Sequence, residues 1–246
     1  ADNMEVGDID GIHYARRYFI KELALFLEDQ FRQTYENLSS RSEYDFNAID
    51  VAQRRMRNLS LSYLMELPSS GYIDLCLEHF KQADNMTDSL AALISLSNRE
   101  CDQGRQALDD FYKKWSGDVL VVNKWLSVQA MSHLPGTLKR VRELTKPESF
   151  EIIHPNKVRA LIGTFCSANQ AQFHTANGQG YSFLTENVIA IDTLNPQIAA
   201  RLLTPLTRWK RMDEGRQVLM KQSLEKILAH TGLSRDVYEI TSKSLD

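Results

Sequence analysis

The chain has 246 residues, 43% hydrophobic and 25% charged, with 11 glycines and 6 prolines. That is enough to bury a large core in one long domain or two smaller ones, and so few Gly and Pro residues suit long helices joined by short turns. The net charge of −3, from 29 basic and 32 acidic residues, argues against a general nucleic-acid binder, and no run approaches the roughly 18 apolar residues of a membrane span.

Residues 1–8 are acidic and lack the apolar centre of a signal peptide, so they read as a flexible tail or a domain boundary. From 9 to 37, Ile12, Ala15, Phe19, Leu23, Phe26, Leu27 and Phe31 recur at three- and four-residue steps, which predicts one long amphipathic helix. A polar break follows over 38–44. The second helix spans 46–67 and carries Arg54, Arg55 and Arg57, expected to be mainly solvated. Pro68-Ser69-Ser70-Gly71 is a turn signal. Further helices are expected over 72–83, from Thr87 or Asp88 to 97, over 101–115, over 120–131 and from Pro135-Gly136 to 144. Pro147 interrupts, and His154-Pro155-Asn156 introduces a helix over 157–165.

Residues 167–180 form the longest irregular stretch and hold Gly178-Gln179-Gly180. A phosphate loop is not indicated there, because the third glycine, the following Lys-Ser/Thr and a preceding strand are all missing. Helices resume over 181–194, 195–211, 213–229 and 234–246, with Gly232 placed as a C-cap and Ser234 as an N-cap. No β alternation is present. A dozen short-linked helices predict an all-α fold, an α-solenoid of antiparallel helix pairs of the armadillo/HEAT kind, with any repeat degenerate in sequence.

The stretch 194–211, L-N-P-Q-I-A-A-R-L-L-T-P-L-T-R-W-K-R, is the most informative. Asn195 is a good N-cap and Pro196 fits the first helical position. Ile198, Leu202, Leu203, Leu206 and Trp209 share an apolar arc, while Gln197, Arg201, Thr204, Arg208 and Arg211 stack into a stripe with three arginines and no acid. Pro205 deprives the Arg201 carbonyl of its helical donor. A solvated basic face is the default for such a stripe; a binding wall is the alternative.

Catalytic signatures are missing. The six histidines have no H-E-x-x-H spacing, there is no C-x-x-C pair and no G-x-S-x-G elbow. A transition-metal site within this chain is therefore not expected. Cys76, Cys101 and Cys166 read as reduced, mostly buried thiols. His174 is the one histidine of interest, with a bond to nearby backbone as its simplest role. Asp109-Asp110 and Asp213-Glu214 read as acids opposing helix dipoles near N-termini.

Several segments together resemble the C-terminal helical domain of the aminopeptidase N family of bacterial and plant type, zinc metallopeptidases of the gluzincin class. They are N-M-T-D-S-L-A-A-L (85–93), F-Y-K-K-W (111–115), L-V-V-N-K-W (120–125), P-N-K-V-R-A-L-I-G-T-F (155–165), F-H with G-Q-G-Y-S-F-L (173–184), and L-N-P-Q-I-A-A-R with R-W-K-R-M-D (194–213). His154 departs from the Asn usual in the family before the Pro-Asn pair. The resemblance implies a solenoid domain over 9–246 that closes over a zinc site held by a separate catalytic domain of the same polypeptide. It implies peptide substrates, no nucleic-acid or membrane partner and a cytoplasmic location. Zinc, its ligands and the catalytic groups belong to that other domain, so this chain alone is expected to hold no metal and to be inactive. From the family's N-P-Q-x-x-x-R motif, Gln197 and Arg201 are implied to reach the primed side of the peptide, with Arg159 lining the same opening. A free-standing helical-repeat scaffold that binds a partner peptide is the alternative of a different class, and a helical RNA-binding module using Arg54, Arg55, Arg57, Arg208 and Arg211 is a third.

Overall fold

The computed structural model describes residues 4–39, 45–146 and 150–246. The first three residues of the expected tail, most of the polar break before Asp45 and the interruption at Pro147 lie outside the described residues. Among the described residues there is no strand, and the all-α expectation holds. In chain order the helices are α1 (Ile9–Phe26), α2 (Glu28–Asn37), α3 (Ala48–Leu64), α4 (Ser70–Gln82), α5 (Met86–Ser97), α6 (Asp102–Trp115), α7 (Val119–Ala130) and α8 (Thr137–Leu144). They continue with α9 (Pro155–Val158), a π-helical segment (Arg159–Gly163), α10 (Thr164–Ala168), α11 (Gln170–Phe173), α12 (Gln179–Asp192), α13 (Pro196–Leu202) and α14 (Thr204–Thr207). A 3-10 turn (Trp209–Arg211), α15 (Glu214–Leu228) and α16 (Arg235–Leu245) complete the chain.

The chain divides into two compact units, one formed by Tyr14–Ser116 and the other by Ala1–His13 with Gly117–Asp246. In the first, α2 packs on α3, α3 on α5, and α4 on α5 and α6. Its core holds Leu61, Leu64, Cys76, Leu93, Leu96 and Phe111, all removed from water. This burial is the main favourable term, at about 25 cal/mol per Å² of apolar area. In the second unit α7 packs on the π segment, α12 on α13 and α15, and α16 on α13 and α15. Its centre is an aromatic cluster in which Phe165 stands edge-on to Phe173 and Phe183, with centroids 6.2 and 5.8 Å away. Edge-to-face geometry matches the positive ring edge to the negative ring face.

Side-chain caps start many of these helices where the residue types lead one to expect them. Asn47, Asn85, Asp118, Asn195, Asp213 and Ser234 each accept a backbone N–H from the first turn. Gly232 is not the C-cap expected: α15 ends at Leu228 with Ala229 as its C-cap, and Gly232 lies in the turn beyond it at φ 86°, the left-handed conformation that disfavours a Cβ. The fourth predicted helix thus opens at Asn85, not at Thr87 or Asp88; Asp88 supplies the N–H that the cap receives.

Several expectations are corrected. The single helix over 9–37 is divided at Leu27, whose φ of −111° and ψ of 22° leave the helical basin. The ladder nevertheless bridges the break, since Leu27 donates to the Leu23 carbonyl and Phe31 to the Leu27 carbonyl. Arg57 is not solvated: it forms an ion pair with buried Asp88, which also accepts Asn58 Nδ2 and Asn85 Nδ2 at 2.8 Å. Asp109 and Asp110 lie in the middle of α6, away from its N-terminus. The irregular stretch 167–180 contains α11, and its two glycines have backbone reasons. Gly178 sits at φ 67°, and a Cβ on Gly180 would lie 2.1 Å from the Phe173 carbonyl oxygen.

Candidate functional site

The stretch 195–211 is three short elements rather than one kinked helix. Pro205 has no N–H and its ring opposes the Arg201 carbonyl, so α13 ends and α14 begins one residue later. The Thr204 hydroxyl donates to the Arg201 carbonyl at 2.9 Å, which restores a donor to the group that Pro205 strips. Leu202, Leu203 and Leu206 are buried as the apolar arc requires, and Gln197, Arg201, Thr204 and Arg208 are exposed. Trp209 is half-buried and donates Nε1–H to the Ser244 carbonyl at 2.8 Å.

The helix over 155–168 carries the second irregularity. Arg159–Gly163 is a single π turn, which adds a residue to the helix and shifts the direction of the side chains on it. Its carbonyls are also served by hydroxyls: Thr164 Oγ1 donates to Arg159 at 3.2 Å and Ser127 Oγ to Ala160 at 3.0 Å.

The π segment and α13 face each other across a cavity of about 540 Å³. Arg159, Gln197 and Arg201, the three residues singled out from the sequence, all line it, with Gly163, Thr164 and Ser167. Arg159 is held by its own helix: Nε donates to the Pro155 carbonyl at 3.3 Å and Nη2 to Asn156 Oδ1 at 2.6 Å. The side chains of Gln197 and Arg201, one turn apart on α13, bond to no described side chain or backbone group. No acid lines this cavity among the described residues. Two guanidinium groups with no carboxylate beside them, a primary amide and two hydroxyls suit a ligand rich in carbonyl oxygens or carrying a carboxylate. Ser167 and Thr164 were missed by sequence reasoning. The available signal covered Ser167 alone, since 159, 163 and 167 recur every fourth residue on one helical face; Thr164, five residues after Arg159, follows from the π turn, which the sequence does not announce.

His174 differs from the simple expectation of a backbone-bonded loop histidine. It is 2% exposed, its Nδ1 meets the Tyr181 hydroxyl at 2.9 Å, and its carbonyl accepts Arg216 Nε–H at 2.7 Å. Burial and the Arg216 charge lower its pKa to about 4, so it is neutral at neutral pH. Arg216 also donates to Asp213 Oδ2 at 2.7 Å and to Asp10 Oδ2 at 2.6 Å, tying three segments together. Arg216 was not singled out in the sequence; nothing local marks it, because its partners lie far away along the chain.

The three cysteines are free thiols; burial pushes Cys76 up to about 12 and Cys166 well above the ordinary range. Among the described residues no group of three or more His, Cys, Asp or Glu is arranged to hold a metal ion. No described helix is long and apolar enough to cross a membrane.

Residues 1–246 match a family model described as "Domain of unknown function (DUF3458_C) ARM repeats". The chain is 38% identical over 245 residues to aminopeptidase N of Haemophilus influenzae, covering 100% of this chain and 28% of that protein. It is 36% identical over 245 residues to aminopeptidase N of Escherichia coli, again covering 100% of this chain and 28% of the relative. Aminopeptidase N of Caulobacter vibrioides is 35% identical over 241 residues, 98% of this chain and 28% of its own length. The chain thus spans little more than a quarter of these relatives. Among solved structures, the crystal structure of Legionella pneumophila aminopeptidase A in complex with aspartic acid superposes with a TM-score of 0.91 at 30% identity. The match covers 100% of this chain and 30% of that one.

Proposed function

From the premise that this chain belongs to the DUF3458_C ARM-repeat family and matches the C-terminal part of bacterial aminopeptidase N, we propose that it is the domain of a zinc-dependent aminopeptidase that walls the active-site chamber and holds the primed side of the peptide. Residues 9–246 are its body. The catalytic domain of the same polypeptide is its partner, peptides are its ligands and the cytoplasm is its location. When bound in the catalytic domain, zinc supplies a Lewis acid for the scissile carbonyl and an activated water. This chain's residues contribute binding and orientation. Arg201 offers a planar fork of donors to a backbone carbonyl or carboxylate beyond the cut bond. Gln197, one turn earlier, both donates to and accepts from a peptide unit. Arg159, braced by Pro155 and Asn156, adds a second cation from the opposite wall.

The observation that carries this reading is that Arg159, Gln197 and Arg201, from two separate helical segments, line one cavity in which no acid lies among the described residues. In the longer enzyme, Arg201→Ala is expected to lower kcat/KM for peptides about tenfold, the scale of one hydrogen bond to a charged group. A single-residue reporter substrate, which has no primed residues, should change by less than about twofold. Equal losses on both substrates would remove Arg201 from the primed side. Pure chain is expected to hydrolyse no aminoacyl reporter, with or without added zinc.

A further inference from the structure

A second cavity, of about 240 Å³, adjoins the first. Ser167 lies in the lining of both. Its other walls include Gln170, His174, Thr204, Arg208 and Arg211, and no acid lines it among the described residues. The Arg208 side chain is exposed and forms no hydrogen bond or ion pair with any described residue. Arg211 is fixed by the chain end, since its Nη2 donates to the Met4 carbonyl at 3.3 Å and its own carbonyl accepts from Gly7 N–H at 2.8 Å. His174 is neutral at neutral pH, so the positive charge of this cavity is carried by guanidinium groups and does not vary from mildly acid to mildly alkaline solution.

We infer that the Arg208 cavity is a second station for the peptide, which receives a carboxylate of a ligand already engaged at Arg201. The assignment rests on the peptide-binding reading of the first cavity and extends it to a preference among substrates. Arg201 and Arg208 are seven residues apart, roughly 10 Å along helical backbone at ~1.5 Å per residue. An extended peptide covers that span in about three residues at ~3.4 Å each. The carboxylate that reaches Arg208 therefore belongs to a residue about three positions beyond the one held at Arg201. It is either the peptide's own C-terminus or an acidic side chain there. An exposed guanidinium whose side chain has no described partner, beside a shaped hollow lined by no described acid, offers a planar fork of donors to such a group.

The test titrates the full 246-residue chain, followed by ligand-observed NMR, with alanine peptides of about two to six residues. The set includes free acids, C-terminal amides, an amide ending in Glu, and inorganic phosphate alone. Arg208→Ala is expected to weaken the longer free-acid peptides about tenfold. It should leave dipeptides and alanine amides unchanged, while Arg201→Ala weakens all of them. Retained sensitivity of the Glu-ended amide to Arg208→Ala assigns the station to side-chain carboxylates as well as chain ends; insensitivity restricts it to the chain end. If Arg201→Ala weakens the peptides and Arg208→Ala weakens none, the second station is refuted and the first stands. If neither substitution matters, the peptide-binding reading itself fails. Phosphate binding lost on Arg208→Ala, without any effect on peptides, would make the cavity a small-anion site and overturn the inference. Arg208 is exposed, so the variant is expected to melt like the parent, which circular dichroism verifies.

Discussion

Mild acid should destabilise this protein through two histidines. His79 is 8% exposed in the first unit, with Nδ1 3.1 Å from the Tyr35 hydroxyl and no hydrogen-bond partner for Nε2 among the described residues. Burial, and then the nearby Arg57 charge, lower its pKa to about 4, with Asp88 opposing. His174 in the second unit is lowered to about 4 by burial and then by Arg216, with Asp213 and Asp10 opposing. In the unfolded chain both return to an ordinary value near 6.5. A folded pKa depressed below the unfolded one means that the unfolded state binds the proton first. The stability linked to each group is therefore complete above pH ~6.5 and is lost as pH falls towards ~4, at up to about 1.4 kcal/mol per pH unit.

At pH ~5 the loss is about 2 kcal/mol for each histidine, from the linkage relation. Set against a total of roughly 5–15 kcal/mol for a domain, two such losses are large. Urea unfolding at pH ~7.5 and ~5, followed by far-ultraviolet circular dichroism, measures them. His79→Gln and His174→Gln cannot take up the proton, so each should lose about 2 kcal/mol less than the parent across that interval. Their stability at the higher pH is a separate matter and need not match the parent. Parallel pH dependences for the parent and both variants would refute the idea that buried, uncharged imidazoles set the acid limit.

Two further perturbations follow from geometry. Gly180→Ala puts a methyl group 2.1 Å from the Phe173 carbonyl oxygen, on backbone that cannot retreat, and should cost on the order of 3 kcal/mol or more in urea unfolding. Gly163→Ala, whose nearest neighbour would be Leu202 Cδ2 at 3.7 Å, should be neutral or stabilise by up to about 1 kcal/mol; a loss equal to that of Gly180 would contradict the packing described. Asp88→Ala strands Arg57 and removes the acceptor of Asn58 and Asn85, at about 3–5 kcal/mol. Adding Arg57→Leu should recover part of that loss, because the orphaned charge goes with it; no recovery would show that the ion pair is not what the site is built around.

The sequence revealed most of what local rules govern. Asn195 before Pro196, the N-cap at Ser234 and the period of Leu202, Leu203 and Leu206 each depend on neighbours within a turn, and each is found as expected; the C-cap expected at Gly232 falls instead at Ala229. The likeness in motif order carried the family. What stayed hidden depends on contacts across the fold. Arg57 reads as one of three solvated arginines until α5 brings Asp88 against it. Arg216 is an unremarkable residue after an N-cap until Asp10 and the His174 carbonyl converge on it. The division at Leu27 has no proline or glycine to announce it.

The π turn was equally invisible, and its position bears on the site. The described chain leaves regular helical geometry inside a helix at few places; one of them, Arg159–Gly163, lines the larger cavity, and another, the step at Leu203–Pro205, ends α13, the helix that forms the opposite wall. Pro205 takes the helical donor from the Arg201 carbonyl, and a carbonyl left without a donor in a partly buried wall costs about 1–3 kcal/mol. The Thr204 hydroxyl supplies that donor at 2.9 Å. The π turn keeps a backbone donor for its Arg159 carbonyl, the Thr164 N–H, and the Thr164 and Ser127 hydroxyls add bonds to the Arg159 and Ala160 carbonyls at 3.2 and 3.0 Å. Hydroxyls stationed at the irregular carbonyls keep the breaks stable when the cavity is empty, so the arginines on either side are placed before a ligand arrives. On the proposed peptide-binding reading, binding then costs less ordering of the walls, which is the advantage of preorganisation.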